Sequence, residues 1–170
     1  TRECRPRQPF VAPTLRPFGG PHRFVVAGPI STVSTTDGGT YALVFELPHE
    51  VELGVGALGT HALPAGGYVY VGSALGPGGF ARVDRHRRGA TGRHDVRHWH
   101  VDYLAGHPDS RLRGVRTLPG RDVECELAGS LPSGPVPGFG ASDCDCETHL
   151  SRCGSLGKAL WAAFGASVSE

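Results

Sequence analysis

The 170-residue chain has no methionine, a single lysine (Lys158) and no apolar run long enough to cross a bilayer. A membrane-spanning helix needs about 20 mostly apolar residues, so the missing run excludes that class. The opening "TRECRPRQPF" has no apolar core of the kind a secretion signal carries, and we expect a cytoplasmic protein with no membrane partner. With no methionine the initiator is missing, so the sequence reads as a fragment or a trimmed chain. Arginine takes nearly every basic position, as a GC-rich genome would produce. Excess charge of one sign is also missing: a net charge of +1 is not the basic balance of a dedicated nucleic-acid binder, so any such signal has to be local. Five cysteines, three of them (Cys144, Cys146, Cys153) in one short segment, do not make a secreted disulfide framework. Reduced thiols or a metal site fit better.

What is present suffices for one domain with a modest core, at 39% hydrophobic and 8% aromatic residues. Residues 1–37 carry six prolines among Gly, Ser and Thr, a composition that buries too little to offset its ordering entropy; they read as a tail or linker, with one short ordered piece at "HRFVVAG". The folded unit spans 38–170. "GTYALVFEL" (39–47) alternates as a strand, and further short strands separated by Gly and Pro turns run to "YVYVGSA". "FARVDRHRR" reads as a helix whose apolar face is Phe80, Val83 and the stem of Arg87. A second helix is expected at 98–107, a returning strand at 112–119, a third helix at 121–131 capped by Asp122, a loop through "PSGPVPGFGASDCDCETHL", and a closing helix at 155–164. The order predicts an α+β domain, a small antiparallel sheet of about three strands flanked by helices.

"YVYVGSALGPGGFARVDRH" breaks from strand to glycine turn to a helix bearing Arg82, Arg85 and His86. Residues 82–100 hold six arginines against two aspartates, a local patch of Arg85, His86, Arg87 and Arg88 suited to a phosphate backbone, with Trp99 available for stacking. "GPGG" lacks the G-K-[ST] of a nucleotide-binding loop. Cys144, Cys146 and His149 form C-x-C-x-x-H, and Cys125 or Cys153 would complete a tetrahedral zinc set; small buried or reactive thiols are the other reading. His98 and His100 are ligands, phosphate contacts or structural histidines, and Asp102 either orients His98 or opens a helix. Tyr41, Tyr70 and Glu124 complete the reactive groups, each unremarkable alone.

Taken together, "GTYALVFEL", "PAGGYVYVGSALGPGG", "RHWHVDYL", "VECELA" and "PVPGFGASDCDC" resemble the GIY-YIG nuclease superfamily, and within it a prokaryotic branch some of whose members are fused to DNA-repair glycosylase domains. The resemblance covers about residues 38–152. It implies a GIY-YIG-like sheet with an inserted hairpin, because the Tyr41-to-Tyr70 interval is longer than usual. It also implies a Mg²⁺-dependent endonuclease in which Tyr41 acts as base or water-positioning group, Tyr70 lines the site, Arg82 meets the phosphoryl group and Glu124 holds the cation, with His86 a secondary member. Thr40 stands where the family has an aliphatic residue. The chemistry agrees: phosphodiester hydrolysis builds charge on phosphoryl oxygens, which an Arg and a divalent ion offset, and a single carboxylate with waters suits Mg²⁺. A phenol, with a pKa near 10, becomes a base only if a neighbouring cation lowers it. The implied partner is nucleic acid, DNA first, and a DNA-repair enzyme; the rival class is a non-catalytic nucleic-acid-binding or protein-interaction domain on the same fold.

Overall fold

The computed structural model describes residues 38–93 and 96–164. The expected tail at 1–37, with "HRFVVAG", lies outside the described residues. No helix among the described residues is long and apolar enough to cross a membrane.

Strand β1 (Gly39–Leu47) is the centre of the sheet. After it come the hairpin β2 (Val51–Gly54) and β3 (Thr60–Leu63), then β4 (Gly66–Ser73), α1 (Ala81–Ala90), α2 (His100–Ala105), β5 (Arg111–Pro119), α3 (Glu124–Ser130), β6 (Leu150–Arg152) and α4 (Leu156–Phe164). The main sheet is antiparallel in the order β5-β1-β4-β6, with β2 and β3 forming a separate two-stranded sheet. It therefore has four strands where about three were expected. The extra one, β6, is a three-residue strand at the end of a Pro/Gly-rich loop, too short to show alternation.

Both faces of the sheet are covered, which is why β1 and β4 read as nearly continuous apolar runs. Alternation sends Tyr41, Leu43, Phe45 and Leu47, with Tyr68 and Tyr70, into one cluster alongside Phe80, Val83, Val101 and Leu104 from the α1–α2 side. Ala42, Val44, Val69 and Val71 point the other way, onto Ala128 of α3 and Ala159 and Ala163 of α4. The result is three layers, helix pair on sheet on helix pair.

Two local expectations are corrected. The buried face of α1 is Phe80, Val83 and His86, and Arg87 is exposed and pairs with Asp84 at 3.6 Å. The N-cap position of α3 is Val123, one residue after the expected Asp122, and its side chain makes no cap hydrogen bond. Thr40 ties down the approach instead: its hydroxyl accepts from the Val123 N–H at 3.0 Å and donates to the Arg121 carbonyl at 2.8 Å. The residue that departs from the aliphatic pattern is thus the one that anchors the start of α3 to β1.

Close packing of α4 on β4 depends on Gly67, where a Cβ would lie 2.3 Å from the Ser155 carbonyl oxygen and 2.8 Å from Ala159 Cβ. Gly67→Ala should lower unfolding stability by about 1–3 kcal/mol in urea titration. Gly157→Ala, also in α4 but with nothing within 4 Å of the added carbon, should be neutral or stabilising by up to about 1 kcal/mol. Equal effects of the two would mean that α4 is not held where described.

Candidate active site

Cross-strand register brings Tyr41 of β1 opposite Gly72 of β4, and a Cβ at Gly72 would sit 2.5 Å from both Cζ and the hydroxyl of Tyr41. The phenol ring therefore lies across β4 because its neighbour has no side chain. Tyr70, two residues earlier on β4, presents its ring on the same face, 6.2 Å from that of Tyr41. On α1, His86 approaches from above, with Nε2 3.1 Å from the Tyr41 hydroxyl and Nδ1 2.6 Å from Asp102 Oδ1. The second oxygen of Asp102 accepts the backbone N–H groups of His98 and Trp99, each at 3.0 Å. Burial pushes the Asp102 carboxyl up, but the His86 and backbone hydrogen bonds outweigh it and hold it below the usual range. An ionised Asp102 only accepts, so His86 carries its proton on Nδ1 and offers Nε2 to the Tyr41 hydroxyl.

This places His86 differently from the sequence reading. It is 1% exposed and cannot meet a phosphate backbone; it is the middle of a buried Asp–His–Tyr chain. Asp102 orients His86 rather than His98, and also opens α2. The available signal was the spacing Phe80, Val83, His86, three residues apart on one helix face.

Arg82, in the first turn of α1, donates from Nη1 to the Ser73 carbonyl at 2.7 Å and lies 4.3 Å over the Trp99 ring. Arg85 approaches the same ring at 5.6 Å, and its Nε and Nη2 are buried with no hydrogen-bond partner among the described residues. Trp99 is partly covered by these guanidinium groups and stays 40% exposed, while Arg87 and Arg88 face solvent. His100 faces inward, Nδ1 accepting the Gly140 N–H at 2.9 Å.

Burial pushes both phenols well above their ordinary pKa. Arg82 pulls Tyr41 part of the way back and Glu124 raises it, and the same two charges act on Tyr70. Tyr41, Tyr70, Arg82 and Glu124 thus share one electrostatic neighbourhood.

Glu124 opens α3, its side chain 12% exposed, with Oε1 3.2 Å from His149 Nδ1. His149 Nε2 faces Cys144 Sγ at 3.3 Å. The ligand atoms of Cys125, Cys144, Cys146 and His149 lie within 4.8 Å of one another, a set that can hold a metal ion. Cys146 is disulfide-bonded, so its sulfur joins such a set after reduction. Burial, then the Cys144 thiol and the charge of Glu124, push Cys125 up to about 12, so without a metal ion this thiol keeps its proton. Cys153, the other thiol considered, is not in the group; it lines a groove with Leu131, Lys158 and Trp161 at α3 and α4.

The chain belongs to the family described as domain of unknown function DUF123, whose model matches residues 40–166. No curated protein and no solved structure matches it.

The depressed Asp102 pKa makes a pH-dependent contribution to stability. It is fully present above the unfolded carboxyl value of about 3.9 and disappears as pH falls through the lower folded value. Asp102→Asn should therefore cost on the order of 1–3 kcal/mol in urea unfolding at pH 6, with the gap to wild type closing as the pH is taken towards 2. A gap that stays constant with pH would show that the charge on Asp102 contributes nothing.

Proposed function

We propose that this DUF123 chain hydrolyses phosphodiester bonds in nucleic acid, DNA first, with GIY-YIG-like chemistry at Tyr41, Tyr70, Arg82 and Glu124. The observation that carries the reading is the buried Asp102–His86–Tyr41 chain ending on a phenol that also feels Arg82 and Glu124. A buried carboxylate and imidazole cost desolvation energy that apolar residues would not, which argues for a use in moving a proton. That chain also meets the difficulty of a phenolic base. Tyr41 need never exist as a free phenolate: the water proton goes to the Tyr41 oxygen as the Tyr41 proton passes to His86 Nε2, and Asp102 stabilises the imidazolium. The water oxygen bonds to phosphorus, the ester P–O bond breaks, and the departing oxygen takes a proton from solvent.

Arg82 supplies donors for the phosphoryl oxygens, and Trp99 offers a face for a base. Glu124 fits a magnesium ion, since its hard oxygens are half-committed to His149 and still reach solvent; when bound, the ion neutralises charge on the phosphoryl group. For the Cys/His set, three sulfurs and an imidazole fit structural zinc best. The burial of both phenols favours a second reading, a nucleic-acid-binding module that does not cleave.

Nicking of supercoiled DNA, with RNA in parallel, should require Mg²⁺, and Arg82→Ala, Glu124→Gln and Tyr41→Phe should each lower the rate about 10²–10⁴-fold. Wild-type protein that binds DNA and never nicks it at any divalent-ion concentration would leave the binding module standing and remove the hydrolase.

A further inference from the structure

Glu124 contacts the Cys/His cluster through His149, and its charge acts on both phenols. The contacts run in a line: Cys144 Sγ to His149 Nε2 at 3.3 Å, then His149 Nδ1 to Glu124 Oε1 at 3.2 Å. The His149 side chain is fully buried, and its Nδ1 makes no aligned hydrogen bond although the carboxylate is close. Its backbone is pinned on both sides, accepting from the Val71 N–H at 3.0 Å and donating to the Phe139 carbonyl at 2.7 Å. The same loop touches the site: a Cβ at Gly140 would lie 2.8 Å from Tyr70 Cε2 and 3.0 Å from His149 Cβ. Cys125 follows Glu124 directly on α3, so the cluster grips that helix start from both its sulfur and its carboxylate neighbour.

We propose that the Cys/His centre and Glu124 are one coupled unit, in which zinc bound through His149 Nε2 fixes the imidazole proton on Nδ1, and that N–H donates to Glu124 Oε1 and orients the carboxylate toward Tyr41 and Tyr70. An imidazole that ligates through one nitrogen keeps a proton on the other, and a carboxylate is its commonest acceptor. Glu124 is then a positioning partner of the zinc centre as well as the carboxylate of the active site. The proposal rests on the hydrolytic reading for the use of that orientation, while its test is read in zinc affinity. Coupling is reciprocal: whatever zinc does for Glu124, Glu124 does for zinc.

The experiment is competition for zinc against a chromophoric chelator under reducing conditions. Wild type should take one equivalent. Glu124→Ala should weaken zinc binding about 10–100-fold and Glu124→Gln by less, with Glu126→Gln, two residues further along α3 and exposed, within about two-fold of wild type. In a His149→Cys background, where sulfur replaces the ligating nitrogen and Nδ1 is gone, Glu124→Ala should no longer matter. Circular dichroism checks that each variant is folded, and Glu124→Gln keeps the shape of the side chain should the alanine variant unfold. Zinc affinity unchanged in both Glu124 variants, or no stoichiometric zinc in the reduced wild type, overturns the coupling. If zinc responds to Glu124 but DNA is never nicked, the coupling stands and the hydrolytic reading falls.

Discussion

Tyr41 fits where it does because the residue opposite it has no side chain. Register along β1 and β4 pairs Tyr41 with Gly72, and any larger residue would displace the ring into the layer above, where His86 waits 3.1 Å from the hydroxyl. Everything else about the site follows from that pairing. Tyr70 shares the face because it is two residues from Gly72 on the same strand. Thr40, adjacent to Tyr41 and facing the opposite way, hydrogen-bonds the segment that leads into α3 and so delivers Glu124 to the same end of the sheet. A single slip in register would turn Tyr41 to the other face and break the phenol pair, the histidine contact and the threonine anchor at once.

How much of this the sequence disclosed depends on whether a feature was decided locally. Strand β1 was readable to the residue because nine β-favouring, mostly apolar residues lie between turn signals. Helices α1 and α4 were readable from their spacing. Strand β6 was not, since three residues in a Gly-rich segment become a strand only when β4 offers its edge. The error at α1 is instructive: the stem of Arg87 was a reasonable apolar surface, but His86 is drawn inward by a carboxylate sixteen residues further on, which no local period reveals. The cap of α3 failed for the same reason. Its partner, Thr40, is eighty-three residues distant from Val123. The Cys/His set was legible as C-x-C-x-x-H with Cys125, while its contact with Glu124 needed the fold.

The electrostatics of the centre are those of a place that lacks positive charge. Two buried phenols, two carboxylates and a cluster of sulfurs lie around one end of the sheet, and the burial-driven rise of Tyr41, Tyr70 and Cys125 records the cost of ionising any of them there. The guanidinium of Arg82 opposes the rise at both phenols. The Cys/His set that can hold a metal ion meets Glu124 at the start of α3, where Oε1 lies 3.2 Å from His149 Nδ1.

The preference for arginine, read from the sequence as a matter of codons, acquires a structural consequence at Arg82. Its flat face is taken by Trp99 and one Nη1 bond by the Ser73 carbonyl. A lysine so placed would have spent its point charge on those two contacts. A guanidinium has five N–H donors in one plane, so stacking uses the face and leaves in-plane donors for a phosphoryl oxygen. The stacked and anchored Arg82 is therefore held in one position by the fold itself. Arg85 lies 5.6 Å from the same ring, its Nε and Nη2 buried and satisfied by no described residue. The Trp99 end of α1 is thus the part of the basic stretch whose guanidinium groups are held by the fold, whereas Arg87 and Arg88 are exposed.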